Sequence, residues 1–181
     1  MDTLRALFPS LLGAQWTALA EPVKHMHGDA PRVLARGRAD VDGAPHLPAR
    51  CLRRLFGLPE PGPQQALTVT IQRDGCRETW SRQFASGPMV STLDRSRNGE
   101  RLHERLGPLT FVFELQADGA AINLQLRGAR MLGLPLPRAL CGRVDSRSAA
   151  QAGRYTFAID VKLPLLGQLV AYRGWLEIVD E

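Results

Sequence analysis

The sequence RYTFAIDVKLPLLGQLVAYRGWLEIVDE, residues 154–181, predicts the fold more clearly than any other stretch of the chain. Every second residue is apolar across Tyr155–Leu163, and a second alternation runs across Val170–Ile178. Successive side chains of a strand point to opposite faces, so this period predicts two half-buried strands. The segment Pro164–Gly167 between them predicts the turn of a terminal β-hairpin that packs on a core.

The second strand of this hairpin carries large side chains on both faces. Tyr172 and Leu176 share one face, whereas Arg173 and Trp175 share the other. Gly174 lies between the last two and leaves room for a bulky neighbour or a ligand. If Arg173 faces inward, the hairpin forms part of a site, and if Tyr172 faces inward, the hairpin belongs to the core.

From Ala66 onward the chain is a run of alternating segments separated by compact turn signals. The dipeptides Asp74-Gly75, Asn98-Gly99 and Asp118-Gly119 are typical of tight hairpin turns. Large apolar residues occupy every second position of the segment Leu109–Leu115. Loops this short favour pairing between successive strands, so we expect antiparallel neighbours.

The N-terminal segment has apolar residues at helical spacing across residues 4–27. Pro9 and Pro22 interrupt this pattern, and a proline inside a helix removes a hydrogen bond and clashes with the preceding turn. We therefore expect a short first turn, a main helix after Pro9 and a kink or stop near Pro22, with Gly28 as the helix end. Residues 49–56 predict a short second helix.

These elements predict an α+β fold that is mostly antiparallel β. Eight to ten short strands are best accommodated by a strongly curved sheet or a barrel. A chain of 181 residues is expected to form a single domain, with a helical segment over residues 1–28 and a curved β-sheet region over residues 33–181. Two prolines in Leu132–Pro137 exclude a central strand and predict an edge or crossing loop. The concave face would enclose either packed side chains or a ligand.

The composition is ordinary for a soluble protein, with 44% hydrophobic and 23% charged residues. No apolar run approaches the ~20 residues that a membrane helix requires, so we predict no transmembrane segment. The N-terminus lacks the basic region and apolar block of a secretory signal. Cys51, Cys76 and Cys141 are widely spaced and odd in number, which predicts reduced thiols and a cytoplasmic location.

The formal net charge of +5 is unevenly distributed, because residues 127–154 contain six arginines and one acidic residue. No block of five or more basic residues occurs, and neither a zinc finger nor the aromatic pair of an RNA-recognition motif is present. We therefore expect nucleic acid to be an unlikely partner.

Two charged residues fall on faces that should otherwise be apolar. Arg82 shares a face with Trp80, and Glu104 falls between Leu102 and Leu106. A lone buried charge is costly, so each residue needs the other, a hydrogen-bond network or a ligand. The simpler interpretations are an ion pair without a ligand, or a polar outer face.

The histidines do not form a recognisable metal motif. His25 and His27 are two residues apart, and on a helix such residues point in different directions. His27 is interpreted as a capping or core residue, or as a proton-exchanging group in a pocket. The sequence contains neither a Gly-x-Ser-x-Gly nucleophile motif nor a glycine-rich phosphate loop. We accordingly predict no cofactor, no metal and no assigned catalytic residue.

Several local strings are recognisable in combination: ETWSRQF (78–84), ERLGP (104–108), LGLPLP (132–137), PLLG (164–167) and YRGWL (172–176). Together they resemble the bacterial family catalogued as domain of unknown function 4166, and the resemblance covers nearly the whole chain. It marks Trp80, Arg82, Glu104, Arg173 and Trp175 as motif positions. Relatives in that family occur alone or joined to nucleotide-dependent dehydrogenase-like or epimerase-like domains. The resemblance therefore implies a separate oxidoreductase as a partner.

Our favoured hypothesis is a non-enzymatic binding or accessory module that holds an apolar or amphipathic small molecule in the curved sheet. The predicted ligand-binding residues are His27, Trp80, Arg82, Glu104, Arg130 and Arg173. One alternative is an isomerase or hydrolase that uses His27 and Glu104 as acid and base. Another alternative is a partner domain for a separate nucleotide-dependent oxidoreductase. The sequence makes no prediction about the oligomeric state.

Overall fold

The structure is a computed structural model that describes residues 6–96 and 98–179, so the ends of the predicted domain (1–5 and 180–181) lie outside the described residues. The described residues form eleven strands: β1 (Arg32–Asp42), β2 (Gly62–Asp74), β3 (Arg77–Phe84), β4 (Gly87–Arg95), β5 (Leu102–Leu106), β6 (Leu109–Asp118), β7 (Ala121–Met131), β8 (Leu134–Pro135), β9 (Arg143–Gln151), β10 (Arg154–Leu163) and β11 (Gly167–Ile178). They also form four α-helices: α1 (Leu7–Leu12), α2 (Glu21–His27), α3 (Leu47–Leu55) and α4 (Arg138–Cys141).

Ten of these strands form a closed antiparallel barrel. The order around the barrel is β6-β5-β4-β3-β2-β1-β11-β10-β9-β7, and pairing between β6 and β7 completes the circle. The two-residue strand β8 lies outside the barrel on the edge of β7. Closure leaves no long unpaired edge within the barrel. The predicted mostly antiparallel α+β fold with a strongly curved sheet or barrel is confirmed.

Buried and less buried residues alternate along the strands of the barrel, as the sequence predicted. Every second residue of β2 from Leu67 to Ile71 is buried, and the residues between them are half-buried. In the C-terminal hairpin, β10 pairs with β11 in the register that sets Ile159 beside Tyr172. Apolar residues of one parity from each strand therefore form the inner surface of the barrel, and Tyr172 lies on that surface with 8% of its area exposed.

Two glycines allow β1 and β11 to approach each other closely. A Cβ atom at Gly174 would overlap the carbonyl oxygen of Arg38, and a Cβ atom at Gly37 would overlap that of Trp175. The predicted room beside Gly174 is therefore occupied by the backbone of β1 rather than by a bulky side chain or a ligand. Sequence alternation identifies the small residue but not the strand that packs against it.

The N-terminal helices close one end of the barrel. Leu7, Phe8, Val23 and Met26 are all buried and belong to the main core. The expectation of a main helix between the two prolines was wrong, because α1 ends at Leu12 and a 3₁₀ helix (Gly13–Ala18) follows it. Pro22 lies in the first turn of α2, where its missing N–H is not needed. The predicted helix end at Gly28 is confirmed.

The helices α3 and α4 lie at the opposite end of the barrel, which we call the rim. The side chain of Arg53 in α3 is 1% exposed and donates hydrogen bonds to the carbonyl oxygens of Ala44 and Leu169, at 2.9 and 3.1 Å. These bonds attach α3 to the loop that follows β1 and to the beginning of β11. The predicted short second helix is present. No helix within the described ranges 6–96 and 98–179 has both the length and the apolar character needed to cross a membrane.

Candidate functional site

The interior of the barrel contains two adjoining cavities, of about 100 Å³ and about 220 Å³. Six residues line both of them: Arg82, Glu104, Phe113, Val144, Ile159 and Tyr172. The cavities therefore meet at the charged pair that the sequence predicted to face inward. We call the smaller one the helix-side cavity and the larger one the rim-side cavity.

The two cavities differ in their surroundings. Phe8 and His27 from the N-terminal helices close the helix-side cavity. The rim-side cavity is lined by Leu52 from α3 and Leu140 from α4, among many other apolar side chains. Leu140 is 59% exposed, so the rim-side cavity reaches the protein surface next to α4.

Arg82, Ser91 and Glu104 form the polar cluster at the junction of the cavities. Arg82 Nη1 donates to Ser91 Oγ at 2.9 Å, and Arg82 Nη2 donates to Glu104 Oε1 at 3.4 Å. Ser91 Oγ in turn donates to Glu104 Oε1 at 2.7 Å. The side chains of Arg82 and Glu104 are 14% and 20% exposed. The cluster thus combines an internal ion pair with exposure to the cavity.

Two aromatic side chains lie near this cluster. The guanidinium carbon of Arg82 lies 5.0 Å from the centre of the Trp80 ring, a distance suited to a cation–π interaction. Tyr172 lines both cavities, and burial raises the pKa of its hydroxyl while the nearby Arg82 charge opposes that rise. Tyr172 is consequently a neutral hydroxyl at the cavity wall.

A second buried ion pair connects the barrel to the end of α2. Arg73 Nε donates to Glu78 Oε1 at 3.0 Å, and Trp80 Nε1 donates to Glu78 Oε2 at 2.8 Å. Arg73 also donates to the carbonyl oxygens of Met26 and Ala30, at 2.6 and 2.7 Å. Burial raises the pKa of Glu78, whereas the Arg73 charge and the two hydrogen bonds lower it. This network holds the helical cap against the barrel.

His27 is buried among aromatic rings in the helix-side cavity. Its Nε2 lies 3.1 Å from Tyr155 Oη, which lies 2.8 Å from Ser148 Oγ, and its Nδ1 has no hydrogen-bond partner among the described residues. The Phe8 and His27 ring centres are 4.2 Å apart. Burial, assisted by the charges of Arg73 and Arg82, lowers the pKa of His27 to about 3. The imidazole is therefore neutral at physiological pH.

Four of the six predicted site residues meet in the interior: His27, Trp80, Arg82 and Glu104 all line the helix-side cavity. The other two do not join them. Arg130 is exposed on β7, and Arg173 is exposed on β11, where it lies 3.6 Å from Asp42. Both arginines have the outward parity of their strands, so they lie outside this cluster. Tyr172, rather than Arg173, faces the barrel interior.

Sequence reasoning missed several polar residues of the interior. Glu78 has the same parity as Trp80 and Arg82, and this signal would have predicted an inward charge, but it was not used. Ser91 likewise has the parity of the buried residues Met89 and Leu93. No local signal could have identified Arg73, because its partners in the α2 region lie more than forty positions earlier in the chain. Among the described residues, no group of three or more His, Cys, Asp or Glu side chains is arranged to hold a metal ion.

Comparison with known proteins agrees with the strings found in the sequence. Residues 19–176 match the profile of a family described as a domain of unknown function, number 4166. The chain belongs to this family. No curated protein and no solved structure matches it. In this member of the 4166 family, the string at residues 78–84 forms most of β3 and directs Glu78, Trp80 and Arg82 into the barrel.

Proposed function

We propose that the protein is a non-enzymatic binding module that holds a small amphipathic molecule inside the barrel. The observation that carries the proposal is an apolar cavity of about 220 Å³ with one polar cluster, Arg82–Ser91–Glu104, at its inner end. Apolar walls with a few convergent polar groups are typical of small-molecule sites. The volume is below the roughly 300–1,000 Å³ of sites for drug-sized ligands, so the cavity favours a small molecule.

The charges in the interior favour a ligand with an uncharged polar head. Arg82 is paired with Glu104, and Arg73 is paired with Glu78, so these buried charges cancel. An ionised carboxylate on the ligand would add an unpaired buried charge, which costs several kcal/mol. A hydroxyl, carbonyl or amide can accept from the guanidinium, and an alcohol or amide can also donate to Glu104. The apolar part of the ligand would then be buried against the walls of the rim-side cavity.

The test is a binding series with a medium-chain alcohol, the amide and the carboxylate of equal chain length. Native mass spectrometry counts the bound molecules, and tryptophan fluorescence reports occupancy because Trp80 lines the adjoining cavity. We expect the alcohol and the amide to bind at least about tenfold more tightly than the carboxylate at pH 8, since one unpaired buried charge costs more than 1.4 kcal/mol. Absence of binding by all three would contradict the proposal.

A matched pair of arginine variants locates the binding site. The double variant Arg82→Met/Glu104→Gln removes both charges of the cluster and leaves no buried ion without a partner. It should weaken binding of the amide about 10- to 100-fold, because hydrogen bonds to charged groups contribute about 1.5–3 kcal/mol. Arg173→Met removes an arginine from the outer surface and should leave binding unchanged. Equal effects of the two variants would place the ligand outside the barrel.

The enzyme hypothesis that uses His27 and Glu104 is less well supported because of the protonation state of His27. Both residues line the helix-side cavity, but a histidine with a pKa of about 3 is a weak base at neutral pH. Efficient general bases have pKa values close to the working pH. The hypothesis predicts turnover that follows His27 ionisation near pH 3, and pH-rate measurements on a bound substrate would test it.

Two further hypotheses from the sequence stay predictions. Cys51, Cys76 and Cys141 form no disulfide bond among the described residues, and a reducing, cytoplasmic compartment stays the location predicted from their number and spacing. A separate nucleotide-dependent oxidoreductase stays an alternative hypothesis for a protein partner, and its co-purification from the native host is the measurement that checks it.

A further inference from the structure

Large apolar side chains are exposed at one end of the molecule. Six leucines, which we call the rim leucines, have exposed fractions between 59% and 105%: Leu47, Leu55, Leu132, Leu134, Leu140 and Leu165. Among the described residues, the only other large apolar side chain in this exposed class is Val90, on the barrel wall. Concentrated exposed apolar area is a sign of an interaction surface.

The topology places the rim leucines together. The connections β1–β2, β7–β9 and β10–β11 all emerge at the same end of the antiparallel barrel, and they contain α3, the β8–α4 segment and the hairpin turn with Leu165. The His46 side chain, which caps α3, lies 3.1 Å from the carbonyl oxygen of Leu166 and joins two of these connections. The rim-side cavity opens within this ring, next to Leu140.

Two rim leucines adopt a backbone conformation that leucine normally avoids. Leu132 has a φ of +51° and Leu165 a φ of +66°, and both lie in tight turns with exposed fractions of 79% and 105%. Glycine or asparagine would fit these turns with less strain. Neither backbone preference nor burial within the protein explains a leucine at either position. An exposed leucine kept in such a turn is what a contact outside the chain would select.

The helix α3 has an outward apolar stripe as well as an inward one. Leu52 faces the rim-side cavity, whereas Leu47, Cys51 and Leu55 are exposed and follow each other at intervals of four residues. Residues four positions apart lie on the same face of a helix. The exposed arginines at positions 50 and 54 flank this stripe. This is the pattern of a helix that lies at a membrane surface.

The charge of the rim is positive. Residues 47–58 and 128–143 together contain six arginines and no acidic residue, and residues 163–168 contain no charge. Arg53 is buried, and Glu60 lies 3.7 Å from Arg53 and 3.6 Å from Arg54. Arg143 is also paired, because its Nε lies 2.6 Å from Asp145 Oδ2. The remaining rim arginines include Arg130 and Arg138, both exposed. Basic groups around an apolar surface are complementary to a layer of anionic lipid headgroups.

We propose that the rim docks on an anionic lipid bilayer. The rim leucines enter the boundary between headgroups and acyl chains, and the surrounding arginines contact lipid phosphates. A second copy of the chain fits less well, because two arginine-rich rims face to face would repel each other. Docking does not depend on the proposed ligand. If the ligand-binding proposal also holds, the amphipathic ligand would pass between the bilayer and the rim-side cavity without crossing water.

The test is vesicle flotation with the full chain and no added cavity ligand. Vesicles of phosphatidylcholine with phosphatidylglycerol should bind the protein, and pure phosphatidylcholine vesicles should bind it several-fold more weakly. The variant Leu132→Asn/Leu165→Asn should lose about tenfold in affinity for each leucine that inserts. Asparagine tolerates both left-handed turns, so folding is preserved. Val90→Thr, which removes an exposed apolar side chain from the barrel wall, is the matched control and should bind like the wild type.

A charge variant tests the electrostatic part. Arg138→Glu should weaken binding to anionic vesicles about fivefold or more, since each basic residue near such a surface contributes about a factor of five. Arg77→Glu, an exposed site at the helical end, should have little effect. The proposal is overturned if the wild type does not float, if neutral vesicles bind as tightly as anionic ones, or if the leucine variant matches the wild type. It is also overturned if light scattering shows a dimer that the leucine variant disrupts. The Arg82→Met/Glu104→Gln variant should float normally, which separates docking from ligand binding.

Discussion

Replacing His27 by glutamine should remove much of the acid sensitivity of folding. His27 is 3% exposed, and its pKa falls from the usual 6.5 to about 3, chiefly because burial excludes water and secondarily because Arg73 and Arg82 are nearby. Glutamine does not titrate, and its amide nitrogen can take the place of Nε2 next to Tyr155. The comparison therefore isolates the protonation of one group.

The magnitude follows from the two pKa values. Below pH 6.5 the unfolded chain binds a proton at His27, whereas the folded chain does so only near pH 3. The contribution of neutral His27 to stability is thus fully present above pH 6.5 and is lost as the pH falls toward 3. The slope is about 1.4 kcal/mol per pH unit, which gives about 2 kcal/mol between pH 7 and pH 5 and roughly 5 kcal/mol in total. That total is comparable with the entire stability of many domains.

The assay is urea unfolding of the wild type and of His27→Gln at pH 7, 6 and 5. The raised pKa of Glu78 works in the opposite direction, because its contribution is present at low pH and is lost as the pH rises from 4.5. The contributions of Glu78 and of the remaining carboxyl groups are the same in both proteins. They cancel when the pH profile of the unfolding free energy of one protein is subtracted from that of the other. We expect the wild type to lose about 2 kcal/mol more than the variant between pH 7 and pH 5.

Parallel stability profiles for the two proteins would refute the reasoning. An NMR titration of the imidazole protons gives an independent result, since His27 should show no protonation above pH 5. A pKa near 6 for this residue would mean that water enters the helix-side cavity and that the N-terminal helices do not exclude it.

Two further substitutions test the packing. Arg73→Met leaves the buried Glu78 carboxylate without its cation and should lower the unfolding free energy by about 3–5 kcal/mol, as measured by chemical denaturation. The control Arg77→Met, at the surface, should change the unfolding free energy by less than about 0.5 kcal/mol. Gly174→Ala forces a Cβ atom into the backbone of β1 and should lower the unfolding free energy by about 1–3 kcal/mol or more. Gly128→Ala has open space at the Cβ position, so its unfolding free energy should stay within about 1 kcal/mol of the wild-type value in the same assay. If either control variant lost more stability than its test variant, the contacts of Arg73 or Gly174 would not be as tightly packed as described.

Much of the barrel could be predicted from local pattern. The period of two in Tyr155–Leu163 follows from the geometry of a strand with one buried face, and the hairpin turns follow from the conformational freedom of Asp-Gly and Asn-Gly. The same parity directed Arg82 and Glu104 inward, where they are found. Each of these inferences depends only on residues that are near one another in the chain.

The sequence by itself therefore determined most of the strands, the inward faces of those with one apolar parity, and the inward position of two charged residues of the candidate site. Only the tertiary structure decided that Tyr172 rather than Arg173 faces inward, because both faces of that strand carry large side chains. It also joined His27 to Tyr155, 128 positions away, and brought the rim leucines to one end of the barrel. Such contacts depend on strand order and barrel closure, which arise from pairing across the whole chain rather than from local periodicity.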